Sequence, residues 1–246
     1  MYRFLKRAFD FSASLLALII TSPFFLITTI GIELSDPGPV FYKAKRIGYH
    51  GREFCMFKFR SMRVPKHKSE ANETSFKADK GRIFPFGDLI RRLKIDELPQ
   101  LLNILIGDMS IVGPRPASVD QAAVMRAGKY EIANSVRPGL TGPAALYDYI
   151  YGDSVEDPVE YERLVLPTRR ELEAIYPSRM SVGFDLKMIR WTVICVFAEA
   201  FQKETPRIYN QLRSYVSAQV TQAEEKSLLF EEGDLNANAE EDKVSV

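Results

Sequence analysis

The pattern of hydrophobic and polar positions divides the chain into one long apolar run and several shorter amphipathic ones. Residues 11–32 carry no charged side chain, and Asp10 and Glu33 bracket them. At about 1.5 Å of rise per residue, a helix of this length reaches across a bilayer core of about 30 Å. A membrane helix is therefore predicted. A secretory signal fits less well, because no small-x-small cleavage site follows the run.

Two features of this run favour a re-entrant path over a spanning helix. Ser22-Pro23 lies near its middle, where proline removes a backbone hydrogen bond and kinks a helix. Both flanks are basic, and the positive-inside rule would keep both of them in the cytoplasm. The basic residues are Arg3, Lys6 and Arg7 before the run and Lys43, Lys45 and Arg46 after it. A helix broken at Ser22 and Pro23 that enters and leaves by one leaflet satisfies this rule, and a straight spanning helix remains the alternative.

Two short apolar runs predict a β-hairpin. Residues 40–42 and 54–59 flank the turn residues His50-Gly51-Arg52 and follow a proline- and glycine-rich turn at 36–39. The polar stretch 63–82 comes next. It is predicted to be a surface loop, with a mobile cover over an active site as the alternative.

Apolar residues recur at helical spacing in five later segments. These are residues 87–94, 96–106, 119–135, 161–176 and 185–201. In the second segment four leucines are predicted to form one buried stripe, namely Leu98, Leu101, Leu102 and Leu105. The fourth segment has the pattern of a charged surface helix. The last carries Trp191 and either lies flat in the membrane interface or belongs to the core.

Charge and composition narrow the functional class. The net charge is +1, which argues against a general nucleic-acid binder. Basic residues nevertheless concentrate between residues 43 and 68, and acidic ones from residue 224 onward. The basic part suits anionic lipid headgroups or a phosphorylated substrate, although plain soluble surfaces would account for both parts.

The cysteines and histidines exclude several kinds of site. Cys55 and Cys195 are the two cysteines, and neither has metal-ligand spacing, so both are predicted to be reduced core thiols. His50 and His67 are the two histidines. A zinc site and a histidine-based catalytic triad are therefore disfavoured.

Two adjacent carboxylates, Asp96 and Glu97, open the second helical segment. In the simpler interpretation Asp96 caps the helix and Glu97 lies in its first turn, where the helix dipole favours negative charge. Neighbouring helical residues are splayed by about 100°, so the pair cannot flank a glycosidic bond as two opposed carboxylates. It can present one nucleophile and one helper. A carboxylate that attacks phosphorus needs nearby cations to neutralise the phosphate.

Such cations surround the pair in the sequence. Arg91, Arg92 and Lys94 precede it within two helical turns. Arg115 lies between two prolines that fix its backbone, and Arg137 precedes a Pro-Gly turn that exposes backbone N–H groups. Each arginine alone is more often a surface ion-pair partner. Together, beside prolines and a carboxylate pair, they indicate a diphosphate site.

Eight segments, in the same order, resemble the bacterial sugar transferases called monotopic phosphoglycosyl transferases. They are Lys6-Arg7-Ala8-Phe9-Asp10, Ser22-Pro23, Pro37-Gly38-Pro39-Val40-Phe41, Phe57-Lys58-Phe59-Arg60-Ser61-Met62, Leu93 to Asn103, Gly107 to Pro116, Arg137 to Gly142 and Asp185-Leu186-Lys187. The likeness covers roughly residues 1–200, and its most specific part is the Asp-Glu-Leu segment with Gly-Pro-Arg-Pro.

The resemblance implies a mechanism and roles for named residues. The family transfers a sugar 1-phosphate from a UDP-sugar to polyprenyl (undecaprenyl) phosphate, releasing UMP, through a covalent aspartyl-phosphosugar intermediate, and requires Mg²⁺. Carried across, Asp96 is the nucleophile and a magnesium contact, and Glu97 assists the metal or the acceptor. The substrate-binding residues would be Arg115 and Arg137, with Arg91 and Lys58 as weaker candidates.

The resemblance also implies a fold and a location. We expect an α+β, mostly helical monotopic membrane protein with an N-terminal re-entrant helix-break-helix, a small β-hairpin and interfacial amphipathic helices. Residues 1–35 would form the membrane segment, 36–220 a cytoplasmic catalytic domain and 221–246 an acidic, disordered tail. The protein would be the small, catalytic-core form, on the cytoplasmic face of the bacterial inner membrane, where it starts surface glycan synthesis. A homodimer is one expected assembly, and no nucleic-acid partner is expected.

One departure from the family pattern concerns the donor. Relatives commonly continue after the Arg-Pro-Gly-x-Thr-Gly motif with an aromatic or small residue and then Ala-Gln-Val, whereas this chain has Pro143-Ala144-Ala145-Leu146-Tyr147. The sequence therefore leaves the sugar undecided. Two other functions stay open: a non-catalytic membrane adaptor, and a glycosyltransferase that moves the sugar alone and releases UDP.

Overall fold

The computed structural model describes residues 2–64, 80–200 and 203–216. Helix α1 spans Tyr2–Ser35, strands β1 and β2 span Phe41–Ile47 and Glu53–Phe59, and helices α2 and α3 span Pro85–Arg92 and Gln100–Ile106. Strand β3 spans Ser110–Val112, strand β4 Ala117–Ser118, helix α4 Ala122–Met125 and strand β5 Gly139–Thr141. Helices α5 to α8 span Pro143–Ile150, Pro158–Leu164, Leu166–Arg179 and Val182–Ala200, and α9 spans residues 206–216.

This architecture confirms the predicted mostly helical fold with a small sheet and one long apolar N-terminal helix. Strand β1 pairs antiparallel with β2 along its whole length, from Phe41 opposite Phe59 to Ile47 opposite Glu53, as the hairpin prediction requires. Strand β4 pairs with the other edge of β1, and β3 and β5 form a separate parallel pair. The predicted loop at 63–82 lies mostly outside the described residues, and the predicted tail at 221–246 and the boundary near Thr221 lie wholly outside them.

Helix α1 is continuous through Pro23, so the interruption of the helix predicted at Ser22-Pro23 is absent. Proline has no N–H to donate to the carbonyl of Ile19, four residues earlier. The hydroxyl of Ser22 donates to that carbonyl instead, at 2.8 Å. Thr21 and Thr29 make similar hydrogen bonds to the carbonyls of Ala17 and Phe25. The Ser-Pro pair thus repairs the hydrogen bond that its own proline removes, which suits an apolar environment.

The surface of α1 identifies it as a membrane-associated segment. It is the one helix among the described residues that is long and apolar enough to cross a membrane, with a mean hydropathy of 2.2 over 18 residues. Only 11% of that window is buried in the protein. Large apolar side chains are exposed along it, including Phe4, Leu16, Ile19, Ile20, Leu26 and Ile27. An apolar face this long has no stable place in water.

Polar contacts at its N-terminal end tie α1 to the rest of the protein. Arg7 donates to the carbonyls of Ile104 and Leu105, in the last turn of α3. The buried carboxylate of Asp10 accepts from the hydroxyl of Ser110 at 2.7 Å and from the N–H of Ile111. The Lys-Arg-x-x-Asp motif of the sequence is therefore a structural joint between the membrane helix and the segments that follow the carboxylate pair.

A buried asparagine ties α3 to the hairpin. The Asn103 side chain is 0% exposed, accepts from the N–H of Phe57 and donates to the carbonyl of Cys55 at 2.7 Å. These bonds occupy backbone groups on the outer edge of β2, which would otherwise be unpaired. They also fix where the turn before α3 lies relative to the end of β2.

Two predicted burial patterns are wrong in part. Within the leucine stripe, Leu101 is buried and Leu98 packs against the core, but Leu102 is exposed, and Ile104 takes the buried position instead. Cys195 is buried as predicted, whereas Cys55 is exposed on β2.

Two predicted helices are divided by residues whose backbone breaks the pattern. The single helix at 119–135 is a short α4 followed by a 3₁₀ segment, because Gly128 adopts a left-handed conformation with φ of 59°. The helix at 161–176 is two helices, α6 and α7, because Pro167 cannot continue the first. Its predicted surface character is also wrong in part, since Leu172, Ile175 and Tyr176 are fully buried.

The main core lies between α5, α7, α8 and α9. Met188, Trp191 and Cys195 place one face of α8 in this core, which supports the core interpretation of the last predicted helix. The opposite face exposes Leu186, Val193 and Phe197. The core holds α5 against the carboxylate pair.

Candidate active site

The carboxylate pair lies in a 3₁₀ turn, Ile95–Glu97, and not in the first turn of the α-helix as predicted. Lys94 adopts a left-handed conformation with φ of 55° and separates the turn from α2, and Pro99 precedes the first residue of α3. The turn is closed by hydrogen bonds from the Glu97 and Leu98 N–H groups to residues 94 and 95. Asp96 and Glu97 are 4% and 8% exposed, so both acids are buried.

Glu97 is held by two side chains from different elements. Lys58, near the end of β2, donates to Oε1 at 2.8 Å, and the Tyr149 hydroxyl of α5 lies 3.4 Å from Oε2. Burial alone would raise the pKa of Glu97. The charges of Lys58 and Arg115, with the Lys58 hydrogen bond, lower it to about 2. Glu97 is therefore ionised at neutral pH.

Asp96 has a different environment. Burial raises its pKa, and the neighbouring negative charge of Glu97 adds to this effect. Lys58, Arg91 and Lys94 oppose the rise. Among the described residues no side chain donates a hydrogen bond to the Asp96 carboxylate. Two adjacent acids with their pKa values pushed in opposite directions have different chemical roles.

Arg115 approaches from the loop between β3 and β4. Its Nε lies 3.8 Å from Oδ2 of Asp148, on α5, and its side chain remains 30% exposed. Burial opposes its charge, but Glu97 and Asp148 raise the pKa of Arg115 above its ordinary value. Asp148 is in turn fixed by the Tyr161 hydroxyl at 2.8 Å and by Arg169. The Pro-Arg-Pro segment thus presents a charged, partly accessible guanidinium beside the acids.

The structure brings together Asp96, Glu97, Lys58, Arg91 and Arg115, and it places Arg137 elsewhere. Arg137 donates from Nε to the carbonyl of Gly107 at 2.8 Å and lies over the ring of Tyr49 at 5.3 Å. Tyr49 is at the turn of the hairpin, whereas Lys58 is at its far end. Ser22 and Pro23 lie in α1.

Two residues of the site are not predicted by the sequence pattern. Asp148 and Tyr149 approach Arg115 and Glu97 from α5, about fifty positions along the chain from the carboxylate pair. Their only signal was the departure from the family pattern just before them, at residues 143–147. The sequence around a polar residue does not predict which distant segment of the chain that residue will contact.

The carboxylate pair has the type and number of ligands that a magnesium ion bound together with a phosphate substrate needs. The described residues contain no group of three or more His, Cys, Asp or Glu side chains that would hold a metal alone. Mg²⁺ is usually bound by one or two carboxylates together with substrate phosphates, so two adjacent carboxylates suffice when such a substrate is present. Because Glu97 is engaged by Lys58, Asp96 is the carboxylate that fits this role.

Comparisons with known proteins identify relatives of this chain. A protein from Xanthomonas campestris pv. campestris named UDP-glucose:undecaprenyl-phosphate glucose-1-phosphate transferase is 37% identical over 79% of this chain and 39% of its own length. The exopolysaccharide production protein PSS of Rhizobium leguminosarum bv. phaseoli is 41% identical over 77% of this chain and 94% of its own.

A third relative, from Aeromonas hydrophila, is named UDP-N-acetylgalactosamine-undecaprenyl-phosphate N-acetylgalactosaminephosphotransferase. It is 38% identical over 66% of this chain and 38% of its own length. This chain therefore spans about two fifths of the first and third relatives, and their names differ in the sugar. The family model described as bacterial sugar transferase matches residues 1–199, and the chain belongs to that family.

Proposed function

We propose that the chain transfers a sugar 1-phosphate from a UDP-sugar to polyprenyl phosphate and releases UMP. The observation that carries this proposal is the difference in environment between the two adjacent carboxylates. Glu97 is ionised and held by Lys58, while the buried carboxylate of Asp96 accepts no hydrogen bond from the described residues. Cations from three elements surround Asp96, as a nucleophile approaching a diphosphate requires. The names of the relatives supply the substrate classes.

In the first step a carboxylate oxygen of Asp96 attacks the β-phosphorus of the UDP-sugar. The Asp96 O–P bond forms, the bond from that phosphorus to the oxygen bridging the two phosphates breaks, and UMP leaves with the electron pair. Burial makes the Asp96 carboxylate more basic and so a stronger nucleophile once it is ionised. Lys58, Lys94 and Arg115 offset the negative charge of the approaching phosphates.

In the second step an oxygen of polyprenyl phosphate attacks the same phosphorus. The Asp96 O–P bond breaks, the carboxylate is restored, and the sugar 1-phosphate is carried by a new diphosphate linkage on the lipid. Magnesium held by Asp96 and substrate oxygens would supply further neutralisation of phosphate charge. Glu97 assists by keeping the Lys58 ammonium group oriented beside Asp96.

The same proposal places the protein on the cytoplasmic leaflet of the inner membrane, with α1 as a continuous helix that bends at Pro23 and is therefore re-entrant. The exposed apolar surface of α1 and its attachment through Arg7 and Asp10 support membrane insertion close to the catalytic turn. A lipid-borne phosphate acceptor requires such closeness. The Ser22 hydrogen bond to Ile19 removes the cost of leaving a carbonyl unpaired in the bilayer at a proline kink.

Nucleotide release from the purified protein tests the reaction. The protein is incubated with Mg²⁺, undecaprenyl phosphate and a panel of UDP-sugars, beside Asp96→Asn. Asp88→Asn is the matched control, because Asp88 is an exposed aspartate on α2 that pairs only with Arg92 among the described residues. We expect UMP from one donor, unchanged in Asp88→Asn and absent in Asp96→Asn. Release of UDP would establish a glycosyltransferase instead, and release from no donor would favour the adaptor.

A labelling experiment tests the covalent step separately. A donor labelled in the sugar is added without acceptor, and label retained on the denatured protein is measured. We expect about one label per chain in the unaltered protein and none in Asp96→Asn. Turnover of labelled donor by Asp96→Asn, with UMP released, would contradict the covalent route while leaving the reaction class intact.

A further inference from the structure

Two buried polar atoms of the sheet lie close to Arg115. Arg46 on β1 lies directly opposite Ser118 on β4 in the antiparallel register. Directly opposed residues project to the same face of a sheet, with Cβ atoms about 5 Å apart. Nε of Arg46 and Oγ of Ser118 are both buried without a hydrogen-bond partner among the described residues. Two neighbouring orphan donors on one face are unusual in a folded protein.

The electrostatic surroundings of Arg46 are unfavourable for its charge. Burial lowers the pKa of Arg46, and the positive charges of Arg115 and Arg169 lower it further. Tyr42 and Asp120 oppose this only in part. Asp148 lies within ion-pair distance of both Arg115 and Arg169, and Glu173 also pairs with Arg169. Arg46 has no ion-pair partner among the described residues. Arg46 is therefore the arginine of this group whose charge the neighbouring acids stabilise least.

An unpaired buried donor destabilises the folded state, and an unpaired buried charge does so more strongly. An anionic ligand would remove both penalties, because a phosphate oxygen accepts from a guanidinium and a hydroxyl together. The position of Arg46 and Ser118 suits a phosphate of the reaction. Arg115 lies near Arg46 and also interacts electrostatically with Glu97, the residue next to Asp96.

We propose that Arg46 and Ser118, with Arg115, form a phosphate-binding subsite beside the Asp96–Glu97 pair. This inference deepens the proposed function. The ligand group is a phosphate, and it can come from the diphosphate of the nucleotide donor or from the phosphate of the polyprenyl acceptor. Arg46 supplies the planar fork that binds two phosphate oxygens at once, and Ser118 supplies a third donor.

Binding experiments without turnover test the subsite independently of the reaction. The variants are Arg46→Met and Ser118→Ala, and Lys45→Met is the matched control. Lys45 is the adjacent residue of the same strand, projects to the opposite face and is 79% exposed. The affinities of full-length purified protein for UDP, and separately for a short-chain polyprenyl phosphate in detergent, are measured by calorimetry. Losing charged hydrogen bonds should weaken binding of one probe by about 10- to 100-fold in Arg46→Met.

Thermal unfolding separates a ligand site from a structural role. Because the guanidinium of Arg46 is partly buried and its Nε has no hydrogen-bond partner among the described residues, Arg46→Met should have an unfolding temperature equal to or above that of the unaltered protein without ligand. It should lose most of the stabilisation that a saturating probe gives. Ser118→Ala should show the same pattern with a smaller loss, and Lys45→Met should behave as the unaltered protein does.

The two probes decide the source of the phosphate. A loss confined to UDP assigns the subsite to the donor, and a loss confined to the polyprenyl phosphate assigns it to the acceptor. Unchanged affinity for both probes in Arg46→Met and Ser118→Ala overturns the proposal. So does a fall in the ligand-free unfolding temperature of Arg46→Met with the probe-induced stabilisation intact. Failure of UMP release would leave these binding results unaffected.

Discussion

The ammonium group of Lys58 lies 2.8 Å from Oε1 of Glu97, and this ion pair is what distinguishes the two adjacent acids. Both side chains are largely buried. Removing one partner of a buried pair leaves the other charge unpaired, at a cost of about 3 kcal/mol. Lys58→Met should therefore lower the free energy of unfolding by about that amount. It should also lower kcat, because the charge that Lys58 provides to Asp96 is lost. Chemical denaturation and UMP release measure the two effects.

A double substitution separates stability from catalysis at this pair. In Lys58→Met with Glu97→Gln neither charge is left alone, so most of the lost stability should return. Activity should stay low, because Asp96 still lacks the Lys58 cation. If the double variant recovered activity together with stability, Lys58 would have a structural role only.

Arg115 and Arg137 should respond differently to loss of charge. Arg115 is partly exposed beside the acids, and removing a charge-stabilising donor of this kind costs about 10²- to 10³-fold in rate. Arg115→Met should therefore lower kcat/KM by about that factor. Initial rates of UMP release at varied donor concentration measure this.

Arg137→Met should mainly change stability, because its guanidinium bonds the backbone carbonyl of Gly107 and lies beside Tyr49, at the turn of the hairpin. Loss of that hydrogen bond should cost about 1–2 kcal/mol, with activity per folded molecule nearly unchanged. A matching fall in UDP affinity would instead support the substrate contact that the sequence predicts for Arg137.

The local sequence was sufficient to predict the parts of the site that lie near each other in the chain. The carboxylate pair, Arg91 and the proline-flanked Arg115 all follow from spacing and residue type, and the structure brings them together. Lys58 could be included only through the resemblance, because its contact with Glu97 depends on how Asn103 fixes α3 against β2.

Other features depend on backbone geometry or on long-range packing, which a local pattern does not contain. The pattern predicts an α-helix at Asp96, because nothing in the sequence indicates that Lys94, a non-glycine residue, adopts a left-handed conformation. The pattern predicts one helix at 119–135. It does not reveal that Gly128 adopts a left-handed conformation, which ends the α-helix there. Tyr149 reaches Glu97 only because the core places α5 there.

Helix α9 lies beyond the residues that the family model matches, and it should support the site indirectly. Leu212 is 0% exposed in the main core, and Tyr209 stacks on Tyr147 of α5 with ring centroids 5.9 Å apart. The residues after Tyr147 are those that contact Arg115 and Glu97. Leu212→Ala should lower the free energy of unfolding by about 3 kcal/mol.

Tyr209→Ala should lower activity by loosening α5 while the protein remains folded at the assay temperature. Gln211→Ala, an exposed residue of the same helix, is the control for both substitutions. Denaturation curves and UMP release under one set of conditions measure the effects. Full activity in Tyr209→Ala would show that α9 stabilises the fold without influencing the site.

The path of α1 in the membrane can be tested by locating the two ends of the chain relative to the membrane. With a re-entrant helix, tags at Met1 and Val246 should both be protected from protease in sealed spheroplasts, whereas a spanning helix exposes one of them. Pro23→Ala restores the backbone N–H of residue 23, which can donate to the Ile19 carbonyl, and removes the clash of the proline ring with the preceding turn. It should therefore straighten the helix and expose one tag in part of the population.

Ser22→Ala is the matched control for this change, because it keeps the proline and removes only the hydroxyl that bonds the Ile19 carbonyl. It should retain the two protected tags but lower the amount of protein in the membrane, since a carbonyl would be left unpaired in lipid. One exposed tag in the unaltered protein would establish a spanning helix. In that case the Ser22–Ile19 hydrogen bond would serve only to keep a straight helix intact across its proline.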